Sequence, residues 1–234
     1  MEENKAKAKK VNSRFQPRGC TILHEDQDII VVDKVSGLLT MGSDKERQKT
    51  AYQHLTHYVK KGNTRSRNRI FIVHRLDKDT SGLLVFAKTE KAKIFLQTEW
   101  QNFSKKYIAV VEGKLKDKEG IIESYLTENS IHRVFSIKNP EKGKFAKTGY
   151  KVIKESKHFS LLKIKLYTGR KNQIRVHFAE NGNPVAGDKM YGIKGMGVKR
   201  LTLHAATLTI QHPHSKKEMT FESDTPTFFR QLIK

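Results

Sequence analysis

Cysteine, acidic residues and long apolar runs are scarce in this chain of 234 residues. Its single cysteine, Cys20, excludes an internal disulfide and supplies no Cys-rich zinc set, so a reducing compartment, the cytoplasm, is expected. No stretch approaches the roughly 18 consecutive apolar residues of a membrane span. The opening segment MEENKAKAKKVNSRFQPRG has no apolar core of the kind a secretion signal needs, so neither export nor membrane insertion is expected. Neither a GxGxxG nor a GxxxxGK(S/T) loop occurs, which removes the main sequence support for dinucleotide or nucleoside-triphosphate chemistry. No internal repeat is present.

Acidic residues are outnumbered: 46 Lys and Arg stand against 24 Asp and Glu, a formal net charge of +22. The excess is spread along the chain and fits a polyanionic partner, although a solvated basic surface would have the same composition. Residues 1–18 hold almost nothing to bury and read as a flexible basic arm. From Thr21 onward, short apolar runs indicate one main core, residues 19–234, with strands at Ile29–Val32, Ile70–Val73, Leu83–Ala87, Tyr107–Val111 and Phe159–Tyr167. Helical spacing appears from Thr50 to Val59, from Lys91 to Gln101 and in QIRVHFAENG, where Asn181-Gly182 makes a stop. Leu201–Ile210 should pair with Glu218–Glu222, and Asp224 or Thr225 should cap a last helix with Pro226 in its first turn. Many strands and few helices predict an α+β domain with a mixed, largely antiparallel sheet, flanking helices and a central cleft. Between Lys60 and Arg69, a polar loop carries Arg65, Arg67 and Arg69, which serve equally well as solvated charges or as phosphate contacts.

The segment His74-Arg75-Leu76-Asp77-Lys78-Asp79-Thr80-Ser81-Gly82 lies between two apolar strands, which would hold a carboxylate in an exposed turn on a rigid base. On spacing alone, a turn whose Asp77, Asp79, Thr80 and Ser81 satisfy backbone donors is the stronger reading. Two carboxylates two residues apart do not establish the geometry of a two-metal nuclease. His204, His212 and His214 lack the acidic or cysteine company of a familiar metal site, so no metal is expected.

HRLDKDTSGLLVFAK nevertheless closely resembles the signature of the RluA family of ribosomal and transfer RNA pseudouridine synthases. IIVVDKVSGLLT, KKYIAVVEG, TGRKNQIRVHFAENGNPVAGDKMYG and LTLHAATL extend the likeness, in the family's order, from about Thr21 to the C-terminus. Val35 stands where the family usually has Pro, and Asn172 where it usually has His. No segment resembles the small N-terminal RNA-binding module of many relatives. The resemblance implies the pseudouridine synthase fold and a cofactor-free isomerisation of uridine in a structured ribosomal or transfer RNA. It assigns Asp77 as the catalytic carboxylate, Arg175 as its ion-pair partner and Tyr107 as the aromatic against the uracil. Arg75 would assist base extrusion, with a salt bridge to a neighbour such as Asp79 as its purely structural alternative, and Leu203 would line the uracil pocket. A monomer is expected. The competing readings are a non-catalytic RNA-binding or ribosome-assembly protein on the same fold, and a metal-dependent nuclease.

Overall fold

A computed structural model describes residues 17–42, 49–193, 195 and 197–234, so most of the expected arm, residues 1–16, lies outside the described residues. The chain divides into two compact units: Met1–Phe103 with Thr209–Ser223, and Ser104–Leu208 with Asp224–Lys234.

The first unit contains β1 (Cys20–Glu25), β2 (Ile29–Lys34), α1 (Ala51–Lys60), β3 (Phe71–Ile72), β4 (Ser81–Ala87) and α2 (Glu90–Thr98). β2 pairs antiparallel with both β1 and β4. Every residue of β4 is buried, as are five of the six in β2, which is why Leu83–Ala87 and Ile29–Val32 read as continuous apolar runs and not as alternating ones. α1 begins where the Thr50 hydroxyl accepts the Gln53 N–H at 3.2 Å, and it ends at Lys61 in the left-handed region. Ala51, Leu55 and Val59, four residues apart, form its buried stripe. Thr89 caps α2 in the same way, and that helix stops at Thr98, short of the expected Gln101. The strand expected at Ile70–Val73 keeps only Phe71 and Ile72 paired, against the end of β4.

The second unit contains β5 (Ser104–Glu112), β6 (Glu119–Glu128), β7 (Val134–Ile137), β8 (Lys144–Glu155), β9 (Phe159–Leu166) and α3 (Gln173–Glu180). β10 (Leu203–Gln211) supplies residues to both units. After β11 (Glu218–Glu222) of the first unit, α4 (Thr227–Gln231) belongs to the second. The strand order is β10-β5-β9-β8-β6-β7, and the pairs β5–β9, β9–β8, β8–β6 and β6–β7 are antiparallel. Alternation sorts the two faces. Ala109, Leu162, Ile164 and Leu166 pack with Ile174 and Phe178 of α3, while Val110 on the opposite face meets Phe229 and Ile233 from the chain's end. The α+β class is therefore as expected, and β10 pairs with β11 as predicted.

Two expectations need correction. The strands β6, β7 and β8 are additional to those expected, because their residues are mostly exposed or half-buried and Lys and Glu interrupt the apolar alternation. Pro226 is the N-cap of α4 and not its first residue, and neither Asp224 nor Thr225 caps the helix, which has no side-chain cap.

Candidate functional site

The catalytic-turn candidates belong to the first unit. The turn closes with the Thr80 N–H donating to the Asp77 carbonyl at 3.2 Å, and its backbone is gripped from the chain after β2. The Thr40 hydroxyl donates to the Leu76 carbonyl at 2.9 Å and accepts the Leu76 N–H at 3.1 Å. The Ser36 hydroxyl donates to the Asp79 carbonyl at 2.7 Å, and the Gly37 N–H donates to Lys78 O at 2.9 Å. Lys34, fully buried, points its ammonium at the carbonyls of Leu38 (2.7 Å), Val35 (3.0 Å) and Lys78 (3.2 Å). A buried cation spending its donors on three carbonyls ties the two loops together and supplies positive charge beneath the turn. At the turn's entrance, His74 accepts the Val85 N–H at 3.1 Å and stacks on Trp100 with centroids 4.1 Å apart. Leu76 is thereby buried, Asp77 half-buried and Arg75 exposed. Among the described residues no ion pair joins Arg75 to Asp79.

Arg175, Tyr107 and Leu203 belong to the second unit. Arg175 projects from the first turn of α3 and is clamped in a fixed fork. Its Nε donates to Asp188 Oδ2 at 2.6 Å, its Nη2 to Asp188 Oδ1 at 2.8 Å, and its Nη1 to Asn172 Oδ1 at 3.0 Å. The Tyr191 ring covers the guanidinium at 5.2 Å. Asp188 Oδ1 also accepts the N–H groups of Met190 (2.9 Å) and Tyr191 (3.0 Å). Burial pushes the Asp188 carboxyl up, but the Arg175 bond and charge, aided by those two N–H groups, outweigh it and hold the group below its ordinary value. The loop can take this course because residue 187 is glycine. Its φ is +74°, and a Cβ there would stand 2.2 Å from the Arg200 carbonyl oxygen. Tyr107, half-buried, packs against the apolar cluster that contains Leu203 and Ile174 of α3, so β5, β10 and the Arg175 helix share one core. Leu203 is only 4% exposed.

A family model described as RNA pseudouridylate synthase matches residues 28–180. The chain belongs to that family. It is 35% identical over 223 residues to a ribosomal large subunit pseudouridine synthase D of Nitrosomonas europaea, covering 91% of this chain and 64% of that one. It is 33% identical to the protein of the same name from Zymomonas mobilis, over 91% of this chain and 71% of the relative. The chain thus spans about two thirds of these relatives' length. Human RNA pseudouridylate synthase domain containing 4 has the same fold, with a TM-score of 0.75 at 22% identity over 89% of this chain and 90% of that one.

In this pseudouridylate synthase family member, the five residues singled out from sequence fall into two groups: Arg75 and Asp77 in one unit, Tyr107, Arg175 and Leu203 in the other. Sequence reasoning misses the residues that hold them. Lys34, Thr40, Asp188 and Tyr191 lie inside the motifs that carry the family resemblance, but the local pattern does not give their role, because each acts on a group 13 or more positions away. Asn172, in sequence no more than a departure from the family pattern, touches the Arg175 guanidinium with its side chain. In the first unit, Arg67 and Arg69 of the polar loop line a groove of about 670 Å³ together with Tyr58, Lys61, Phe71 and Lys88. Arg69 lies over Phe71 at 4.9 Å.

The histidines divide by role. His204 is buried edge-on to Phe229. Asp26, Asp28 and His212 bring possible ligand atoms within 4.8 Å of one another. His212 Nδ1, however, accepts the N–H groups of His214 and Ser215 at 3.2 and 3.1 Å, which leaves the proton on Nε2, aimed at Asp26 Oδ2 at 3.0 Å. Asp26 also binds His24 at 2.7 Å and accepts the N–H groups of Asp28 and Ile29, both at 2.8 Å, so the cluster is a hydrogen-bonded staple across two turns.

Proposed function

We propose that this chain isomerises uridine to pseudouridine in structured RNA, with residues 19–234 forming the catalytic part and residues 1–18 an accessory basic arm. The observation that carries the reading is the HRLD–TSG turn, braced by Lys34 and Thr40, inside a chain the family model matches over residues 28–180. Two relatives are named for the ribosomal large subunit, which favours ribosomal over transfer RNA as the target.

The reaction breaks the bond from uracil N1 to ribose C1′, turns the base, joins C5 to C1′, and transfers the C5 proton to solvent while N1 gains one. Nothing is oxidised and no group is added, so the chain's own side chains suffice and no cofactor or metal takes part. The target nucleotide must leave its stack at a cost of roughly a few kcal/mol. Arg75, exposed next to Asp77, is the group suited to fill the gap or to hold the displaced phosphate, since a planar cation does both. Asp77 attacks C1′ or stabilises positive charge developing there, as carboxylates do at other sugar centres. Arg175 is the arginine that the family resemblance assigns to the reaction. Its three bonds to Asp188 and Asn172 fix the plane of the fork. Tyr107 and Leu203 hold the uracil while it turns. The protein acts as a monomer in the cytoplasm.

The test is Asp77→Asn, assayed in single turnover on ribosomal RNA from cells lacking the protein, with excess chelator and monovalent salt. Pseudouridine formation should fall to background while RNA affinity stays within about threefold, since one neutralised carboxylate removes no phosphate contact. A near wild-type rate in the Asn variant would refute the role of Asp77.

A further inference from the structure

The second unit carries a surface that the proposed chemistry does not use. Strand alternation puts Lys106 of β5, Lys163 and Lys165 of β9, and Lys147 and Lys151 of β8 on the sheet face opposite Tyr107, Ile164 and α3. The chain's C-terminal segment covers the other end of this face through Ile108, Leu161, Phe228 and Phe229, and leaves the lysine end open. Glu119 and Glu123 of β6 neutralise Lys151 and Lys147 at 3.1 and 2.7 Å. Lys106, Lys163 and Lys165 have no carboxylate partner among the described residues.

The register makes this arrangement costly. Lys106 stands directly opposite Lys165, and Lys151 directly opposite Lys163. Glu119 offsets Lys151, so the uncompensated like-charge pair is Lys106–Lys165, an opposition that destabilises a sheet and that folding alone does not favour. An aromatic lies between the cations: Tyr167, 41% exposed, has the Lys165 ammonium 4.9 Å and the Lys147 ammonium 5.4 Å from its ring centre. The ring lies against Gly149, where a Cβ would stand 3.1 Å from it, so glycine leaves room for the tyrosine to lie across the sheet. Around it is an open depression of about 460 Å³ that also includes Ile121, 55% exposed.

We infer that this face is a second RNA-binding surface, which takes a single-stranded segment of the substrate RNA with phosphates on Lys106, Lys163 and Lys165 and a base stacked on Tyr167. Successive same-face lysines on β9 lie roughly 6.6 Å apart and neighbouring strands about 4.8 Å apart, a grid of long flexible cations that can follow a phosphate backbone. A polyanion relieves the Lys106–Lys165 repulsion, and an exposed ring between two cations is a sequence-tolerant stacking platform. The surface rests on the reading of the chain as an RNA enzyme, but it lies outside the residues assigned to the reaction.

The experiment compares the full chain with the double variant Lys163→Glu/Lys165→Glu and with Tyr167→Ala. A control, Lys138→Glu/Lys142→Glu, makes the same change in net charge elsewhere on the unit. The probe is deproteinised ribosomal RNA titrated at several salt concentrations, with pseudouridine formation measured at saturating enzyme. The double variant should bind about tenfold or more weakly, and its salt slope should flatten by about 1.4, or 0.7 per lost contact. Because the Lys165→Glu change sets a carboxylate opposite Lys106, the thermal midpoint of the double variant should be unchanged or higher. Tyr167→Ala should weaken binding about five- to tenfold with little change of slope. All three should keep the wild-type saturated rate. Equal weakening by the control, or unchanged affinity in the double variant, overturns the surface. So does loss of binding to phosphatidylglycerol vesicles with RNA affinity intact, which would assign the face to a membrane. If no pseudouridine forms while the double variant still loses RNA affinity, the surface stands and the proposed reaction falls.

Discussion

Replacing Asp188 by Asn keeps the side chain's volume and removes the charge that neutralises Arg175. The Asp188 side chain is 0% exposed and that of Arg175 13%, so the pair is effectively a buried one. Breaking such a pair from one side costs about 3–5 kcal/mol, because the remaining buried charge loses that compensation. Asn can keep its carbonyl where Oδ1 receives Nη2 and the two backbone N–H groups, but its amide then faces the Arg175 Nε, donor against donor, across what was a 2.6 Å bond. The slight exposure of Arg175 and the surviving acceptor place the cost near the lower end, about 3 kcal/mol. For a chain of this size that corresponds to a fall of roughly 6–12 °C in thermal midpoint. The guanidinium also loses its fixed plane, and misdirection of a positioning group by about 1 Å costs on the order of 100-fold in rate. Urea and thermal unfolding measure the first effect, and single-turnover pseudouridine formation at saturating enzyme measures the second. The pH dependence gives a third reading. The folded carboxyl sits below its ordinary value, so its stabilisation is present above the unfolded carboxylate range, near pH 4, and is lost as pH falls through the folded value. The Asp188→Asn variant lacks that component. A variant within 1 kcal/mol of wild type that turns over at the wild-type rate would show that Arg175 needs no partner at position 188.

His177 gives a pH prediction on stability alone. It is 1% exposed, with Nδ1 2.9 Å from the Thr148 hydroxyl and Nε2 3.0 Å from that of Ser124, and burial pushes it down from 6.5 to about 4. The unfolded chain binds a proton that the native state refuses, so stability is full above pH 6.5 and falls as pH drops towards 4, by roughly 3 kcal/mol at most. Unfolding at pH 5 and pH 7.5 should show this difference in wild type and not in His177→Gln; an equal slope in both would refute it. Deleting residues 1–18 should weaken RNA binding and flatten its salt dependence without changing the saturated rate, whereas Arg75→Ala should lower that rate even at saturating enzyme. The opposite pattern, with the rate lost on deletion and Arg75→Ala shifting only half-saturation, would overturn this division between arm and arginine.

Local sequence pattern and motif were enough for the family, the α+β class and the positions of the strands that bury whole runs or strict alternations. β2 and β4 are apolar on both faces, and in β9 Leu162, Ile164 and Leu166 alternate with Lys163 and Lys165; both patterns are local and legible. The HRLD–TSG turn is also locatable in sequence, though its meaning comes from resemblance, since spacing alone favours an ordinary turn. β6 and β8 are illegible because their residues are exposed or half-buried and mostly polar, and what makes them strands is the partner strand's hydrogen bonds. What holds the candidate residues is a matter of folding alone. Lys34 reaches Lys78 across 44 positions, Thr40 reaches Leu76 across 36, and Asp188 meets Arg175 through a loop that needs glycine at position 187. Folding also sets Lys106 against Lys165, because cross-strand register depends on which residues oppose one another and not on either segment's own pattern.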